Sequence, residues 1–134
     1  MRNILLLPLL LFIVLPAYGQ EFALPDVHEK NGIQYLSGGA AKNERDTLKT
    51  TEKDYNLKVS SISTGGDYTG AFSLKILNAR GDVQLDITTE GPVFYANLPV
   101  GQYQISGKYE GQEKTLFATV SINRLKMVNF SWKE

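Results

Sequence analysis

From Tyr55 to Trp132 apolar and polar residues alternate with a period of two, and Gly, Pro, Asn and Asp break the alternation at regular intervals. Tyr55, Leu57 and Val59 share one face until Ser63-Thr64-Gly65-Gly66-Asp67 interrupts them. Phe72, Leu74 and Ile76 form the next face, ended by Asn78-Ala79-Arg80-Gly81-Asp82, and Val83, Leu85 and Ile87 the one after, ended by Gly91-Pro92. Val93 to Leu98 is a short run closed by a Pro99–Gly101 turn. Tyr103, Ile105 and Tyr109 then alternate with polar residues up to Glu110-Gly111. Leu116, Ala118, Val120 and Ile122 share the following face, and Val128, Phe130 and Trp132 the last. This predicts about seven antiparallel strands with one apolar and one polar face each. The short gaps favour a meander or Greek key over crossover helices. The expected fold is mainly β, a seven-stranded antiparallel β-sandwich over residues 55–134.

Ahead of it the period changes. Residues 40–54 lack Gly and Pro, carry Glu44 and Asp46 early and Lys49 and Lys53 late, and place Ala41, Leu48 and Tyr55 seven apart. These features predict one short amphipathic helix with a thin apolar stripe and charges that suit the helix dipole. Residues 35–54 therefore read as a strand or loop plus helix attached to the sandwich. Residues 20–34 show no sustained period, contain Pro25 and an Asn31-Gly32 turn signal, and read as a poorly ordered segment.

The first residues combine Arg2, an apolar run from Ile4 to Val14, and Ala17-Tyr18-Gly19, which predicts a secretory signal peptide over 1–19 cleaved after Gly19. The run is shorter than the roughly 20 residues a membrane-crossing helix needs. The expected location is periplasmic or secreted, with no membrane attachment after cleavage. Removing 19 of 134 residues leaves 115, one domain with a modest core. The 14 basic and 14 acidic residues become 13 and 14 without Arg2, a balance that offers nucleic acid no net attraction. With no cysteine, no disulfide staples the fold.

The same composition narrows the chemistry. The chain has one histidine, His28, with Asp26 and Glu29 nearby, too few converging ligands for a metal site. Cysteine nucleophiles are absent, and a Ser-His-Asp triad would have to recruit His28 from the N-terminal segment. The carboxylate pairs Asp82 with Asp86 and Asp86 with Glu90 have spacings a glycosidase could use, but they fall on the polar face of a strand, where carboxylates keep sheets soluble. Arg80-Gly81-Asp82 spells an adhesion tripeptide, yet it sits where a hairpin turn wants those residues. No catalytic residue, metal or cofactor is expected.

The stretch GPVFYANLPVGQYQISGKYEG (residues 91–111), with NARGDVQLDITTE before it and T-x-x-x-x-V-x-I after it, resembles the carboxypeptidase regulatory-like domain. That is a transthyretin-like (prealbumin-like) sandwich in which L-P-x-G-x-Y opens a strand. The front, YLSGGAAKNERDTLKTTEKDYNLKV, and the closing VNFSW resemble small exported Gram-negative proteins of the same type, so the likeness spans residues 35–132. It implies a prealbumin- or immunoglobulin-like sandwich and is almost silent about function. Transthyretin-like hydrolases need histidines and a C-terminal motif that a chain ending FSWKE lacks. The motif has a physical explanation without a ligand. Pro99 fixes a turn, Gly101 supplies a backbone angle other residues resist, and the Tyr103 hydroxyl reaches a backbone partner at the corner.

The expected function is therefore that of a non-enzymatic periplasmic binding domain with a protein or peptide partner. A carbohydrate-binding module is the alternative, with Tyr68, Tyr95 and Trp132 as its planar aromatic row, and a cryptic hydrolase the third reading. Ser37-Gly38-Gly39 ahead of a helix could cradle an anion, but Glu44 and Asp46 would repel it. The front is what plain sandwich modules lack, which makes Tyr35, Gly38, Gly39 and Tyr55 the candidate binding residues.

Overall fold

A computed structural model describes residues 24–134, so the signal peptide predicted over 1–19 and its predicted cleavage point lie outside the described residues. The elements run β1 (His28–Lys30), β2 (Ile33–Gly38), α1 (Lys42–Lys49), a 3-10 turn (Glu52–Asp54), β3 (Leu57–Ser63), β4 (Ser73–Asn78), β5 (Val83–Thr88), β6 (Val93–Asn97), β7 (Gly101–Tyr109), β8 (Gln112–Val120) and β9 (Lys126–Trp132). They form a five-stranded sheet, β1-β2-β6-β3-β9, and a four-stranded sheet, β5-β4-β7-β8.

The period-two segments and the short run at 93–98 become β3 to β9, all seven of the predicted strands. Two more strands precede them. Residues 28–34 are not the loose segment the sequence suggests: β1 and β2 make a hairpin through Asn31 (φ 54°) and Gly32 (φ 77°), the two positive-φ positions of a tight turn. β2 then pairs with β6, which joins the front of the chain to the sandwich itself. One pairing departs from the antiparallel expectation. β3 and β9 run parallel from Leu57↔Lys126 to Ser63↔Trp132, because the chain's last strand returns to the open side of β3 from the far end.

The space between the sheets is filled by Leu57, Val59 and Phe94 from one and Leu74, Ile76, Leu85 and Ile105 from the other, all essentially without exposure. Phe130 and Trp132 stack there at 5.6 Å. The indole N–H donates to Ser61 Oγ at 2.7 Å, which satisfies the one polar atom that Trp132 buries. Gly107 faces Phe130 so closely that a Cβ would sit 2.9 Å from the ring. The predicted corner is present: the Tyr103 hydroxyl donates to the Pro99 carbonyl at 2.6 Å. Gly101 plays a different part from the expected one, since it has no positive φ and a Cβ there would make only ordinary contact at 3.9 Å.

Three positions expected inside are exposed, Leu116 and Val83 on β8 and β5, the outer strands of the four-stranded sheet, and Ile122 in the turn after β8, while Ala118, Val120 and Leu85 stay buried. The helix is shorter than 40–54, stopping at Lys49 with the 3-10 turn following, and Ala41 is exposed at its N-cap, leaving Leu48 as its one buried residue.

Candidate binding surfaces

Helix α1 lies on the outer face of the five-stranded sheet. Leu48 packs with Leu36, Val93 and Tyr95, and Tyr55 joins at the rim, its ring 5.8 Å from that of Tyr95. This second small core explains why β6 shows no alternation: Phe94 and Ala96 face the sandwich interior, Val93 and Tyr95 face the helix, and all four are buried. Beside it, Glu52 Oε2 accepts from Lys58 Nζ at 2.7 Å and from the Tyr95 hydroxyl at 2.8 Å. Burial alone would raise the Glu52 carboxyl. The hydrogen bonds from Lys58 and Tyr95, with the charges of Lys58 and Lys49, outweigh it and hold the group below its ordinary range. Burial first, and the Glu52 carboxylate second, push the Tyr95 hydroxyl upward, so it remains a donor.

The four residues singled out from the sequence do not converge. Tyr35 turns toward the interior side of the sheet, between His28 (5.4 Å) and Phe94 (5.8 Å). Tyr55 packs on the opposite, helix-covered side. Gly38 and Gly39 are buried, and their small size is what lets the helix approach. A Cβ on Gly38 would meet Glu44 Oε2 at 2.8 Å, and one on Gly39 (φ 93°) would meet Arg45 Cγ at 2.9 Å. Gly91 completes the contact, since its Cβ would lie 2.5 Å from the Gly38 carbonyl carbon and oxygen. The helix start is closed to an external anion, because Glu44 Oε1 accepts the Ala40 N–H at 3.1 Å.

The other candidate groups are equally dispersed. Tyr95 and Trp132 are 1 % exposed and belong to different cores, so they make no planar row with Tyr68. Tyr68 is itself capped by the Arg45 guanidinium, 4.3 Å from its ring centre. Asp82 pairs with Arg80 in the β4–β5 turn, where Asn78 Oδ1 accepts both the Arg80 and Asp82 N–H and Gly81 takes φ 88°. Asp86 is exposed on β5. Glu90 lies 3.4 Å from His28. Among the described residues no group of three His, Cys, Asp or Glu side chains converges.

Sequence reasoning passed over two surfaces. One is cationic: Lys42, Arg45 and Lys49 fall at i, i+3 and i+7 on α1 and line a groove with Lys58 of β3. The helical spacing was its available signal. The other is the free edge of the four-stranded sheet. Among the described residues β8 bonds to β7 along nine residues on one side only, from Gly101↔Val120 to Tyr109↔Gln112. Its first residues are laced to β9, with Lys114 Nζ bonding the Ser131 carbonyl and Gln112 exchanging two hydrogen bonds with the Lys133 backbone. Beyond Lys114 the lacing stops. Thr115 to Val120 carry no charge, Leu116 is 37 % and Phe117 77 % exposed, and Met127 and Ile122 stand exposed nearby in sequence. Phe117 also lines a groove of about 510 Å³ with Gln102, Gln104 and Thr119. The alternation that puts Ala118 and Val120 inside already points Phe117 outward.

No family model matches the chain, and no curated protein matches it.

Proposed function

We propose that this chain is a non-enzymatic, exported binding domain of the carboxypeptidase regulatory-like type, which takes an extended polypeptide segment of a periplasmic partner as an added strand on β8. The observation that carries this reading is the bare half of that edge. Natural sheets blunt such edges with charge, proline, bulges or short length. β1 has only three residues, and β5 has Asp86 and a register shift against β4. Thr115–Val120 has none of these devices, and its unpaired backbone groups beside an exposed Phe117 are what strand addition uses, main chain for affinity and side-chain pocket for specificity. The candidate carboxylates support the non-enzymatic part, since Asp82 and Glu90 are engaged with Arg80 and His28.

The test is a photo-crosslinking amino acid at position 117 in cells, with position 86 on the opposite edge of the same sheet as control. A discrete protein adduct from 117, absent from 86 and lost when Leu116→Lys is added to a chain of unchanged circular dichroism, supports the reading. Equal adducts from both positions, or turnover of a substrate by the purified protein, would overturn it.

A further inference from the structure

We infer that the groove between α1 and β3 is a binding site for a dianionic phosphoryl group, carried by Lys42, Arg45, Lys49 and Lys58. This stands independently of the strand-addition reading, because α1 and β8 belong to different sheets' surfaces.

Four cationic side chains enter one cavity of about 240 Å³ from two elements. Lys42, Arg45 and Lys49 share a helix face, and Lys58 comes from the strand beneath. Two carboxylates accompany them: Asp46, bonded to Lys42 at 3.0 Å, and Glu52, bonded to Lys58 at 2.7 Å. Four positive and two negative charges leave a surplus of two, the charge a phosphate monoester approaches at neutral pH. The formal charges cancel over the whole chain, so this local surplus of two is balanced by acidic residues elsewhere.

The site is also ordered before any ligand arrives. Arg45 is held by the Gly39 carbonyl at 2.9 Å and stacked on Tyr68, which uses one guanidinium nitrogen on the backbone and leaves other N–H donors available. Lys58 and Glu52 expose only 14 % and 20 % of their side chains, so the floor of the groove is poorly solvated and charge there is weakly screened. Lys42 and Asp46 form an exposed pair of little energetic weight, which a phosphoryl oxygen can displace. Lys49 makes no ion pair among the described residues. A held guanidinium and three ammonium groups around one cavity are the donors a phosphoryl group needs: charge-assisted hydrogen bonds from both kinds of cation.

The phosphoryl group could belong to an ester or be free phosphate, and the same titration separates the two. Amide shifts of the mature protein are followed with glucose 6-phosphate, inorganic phosphate and glucose, each at constant ionic strength set with chloride. Saturable shifts at Arg45, Lys49 and Tyr68 are expected with the phosphorylated probes and none with glucose. Tighter binding of the ester assigns a phosphorylated sugar or similar ester, and equal or tighter binding of phosphate assigns the free ion. Lys49→Gln, on an exposed helix position, should weaken binding about tenfold, whereas Lys108→Gln, on the other sheet, should leave it unchanged. Absence of saturable shifts, shifts reproduced by chloride, or equal affinity of the Lys49→Gln protein would overturn the site.

Discussion

Leu48→Ala is the most discriminating perturbation of this molecule, because one side chain joins the helix to the sheet. Leu48 is fully buried, it is the one buried residue of α1, and its neighbours Leu36, Val93 and Tyr95 sit on a rigid sheet that cannot collapse into the space it leaves. Leu to Ala changes in such sites cost about 2–5 kcal/mol. An eight-residue helix has no stability of its own, since isolated helices shorter than about 12 residues are marginal in water. The loss should therefore appear as undocking of α1 and not as global unfolding. A cost of about 3 kcal/mol raises local opening roughly a hundredfold. Hydrogen exchange of the Leu48→Ala protein should speed up by that factor at Arg45, Thr50 and Thr51, whose N–H groups bond within and just after the helix. Exchange at Leu74, Ile76 and Ile105 should keep its wild-type rate. Equal acceleration in both groups would refute the separation of the two cores, and no acceleration in either would refute Leu48 as the anchor.

Four further outcomes follow from the same geometry. Gly91→Ala should lower stability by about 1–3 kcal/mol in denaturant unfolding, because the new Cβ meets Gly38 backbone at 2.5 Å and backbone cannot swing aside. Gly101→Ala, with 3.9 Å to spare, should sit within about 0.5 kcal/mol of wild type. Tyr103→Phe should lose about 1 kcal/mol with its bond to the Pro99 carbonyl, measured as a shift in urea midpoint at unchanged slope. Glu52 ionises more readily folded than unfolded, so its contribution is present above the ordinary value of 4.5 and is lost as pH falls through the depressed folded value. Glu52→Gln should flatten stability across that acidic window, and an unchanged acid limb would count against the Glu52–Lys58–Tyr95 network.

Much of this architecture is legible in the residues. Alternation marks six of the seven strands from β3 to β9, with β6 readable only as a short run between turn signals, and Asn31-Gly32, Gly81 and Glu110-Gly111 mark tight turns, since each takes positive φ where the chain reverses. L-P-x-G-x-Y marks the corner that Tyr103 closes on Pro99. These are local decisions, made by side-chain period and by the backbone angles a residue tolerates. The candidate sites were less legible for a related reason: Tyr35, Gly38, Gly39 and Tyr55 are close in sequence, but the sheet places Tyr35 on one of its faces and Tyr55 on the other.

What the residues alone determined, then, is which side of most strands avoids water and where the chain turns. Which strand lies beside which was decided only by tertiary structure. Alternation gives a strand a face but no partner, and nothing local in Leu57–Ser63 distinguishes antiparallel β6 on one side from parallel β9, about seventy residues away, on the other. That Gly38 and Gly91 touch is likewise hidden in the sequence until β2 and β6 meet. The docked helix then buries the second face of β6, and β8 past Lys114 is left as an edge that no described strand covers.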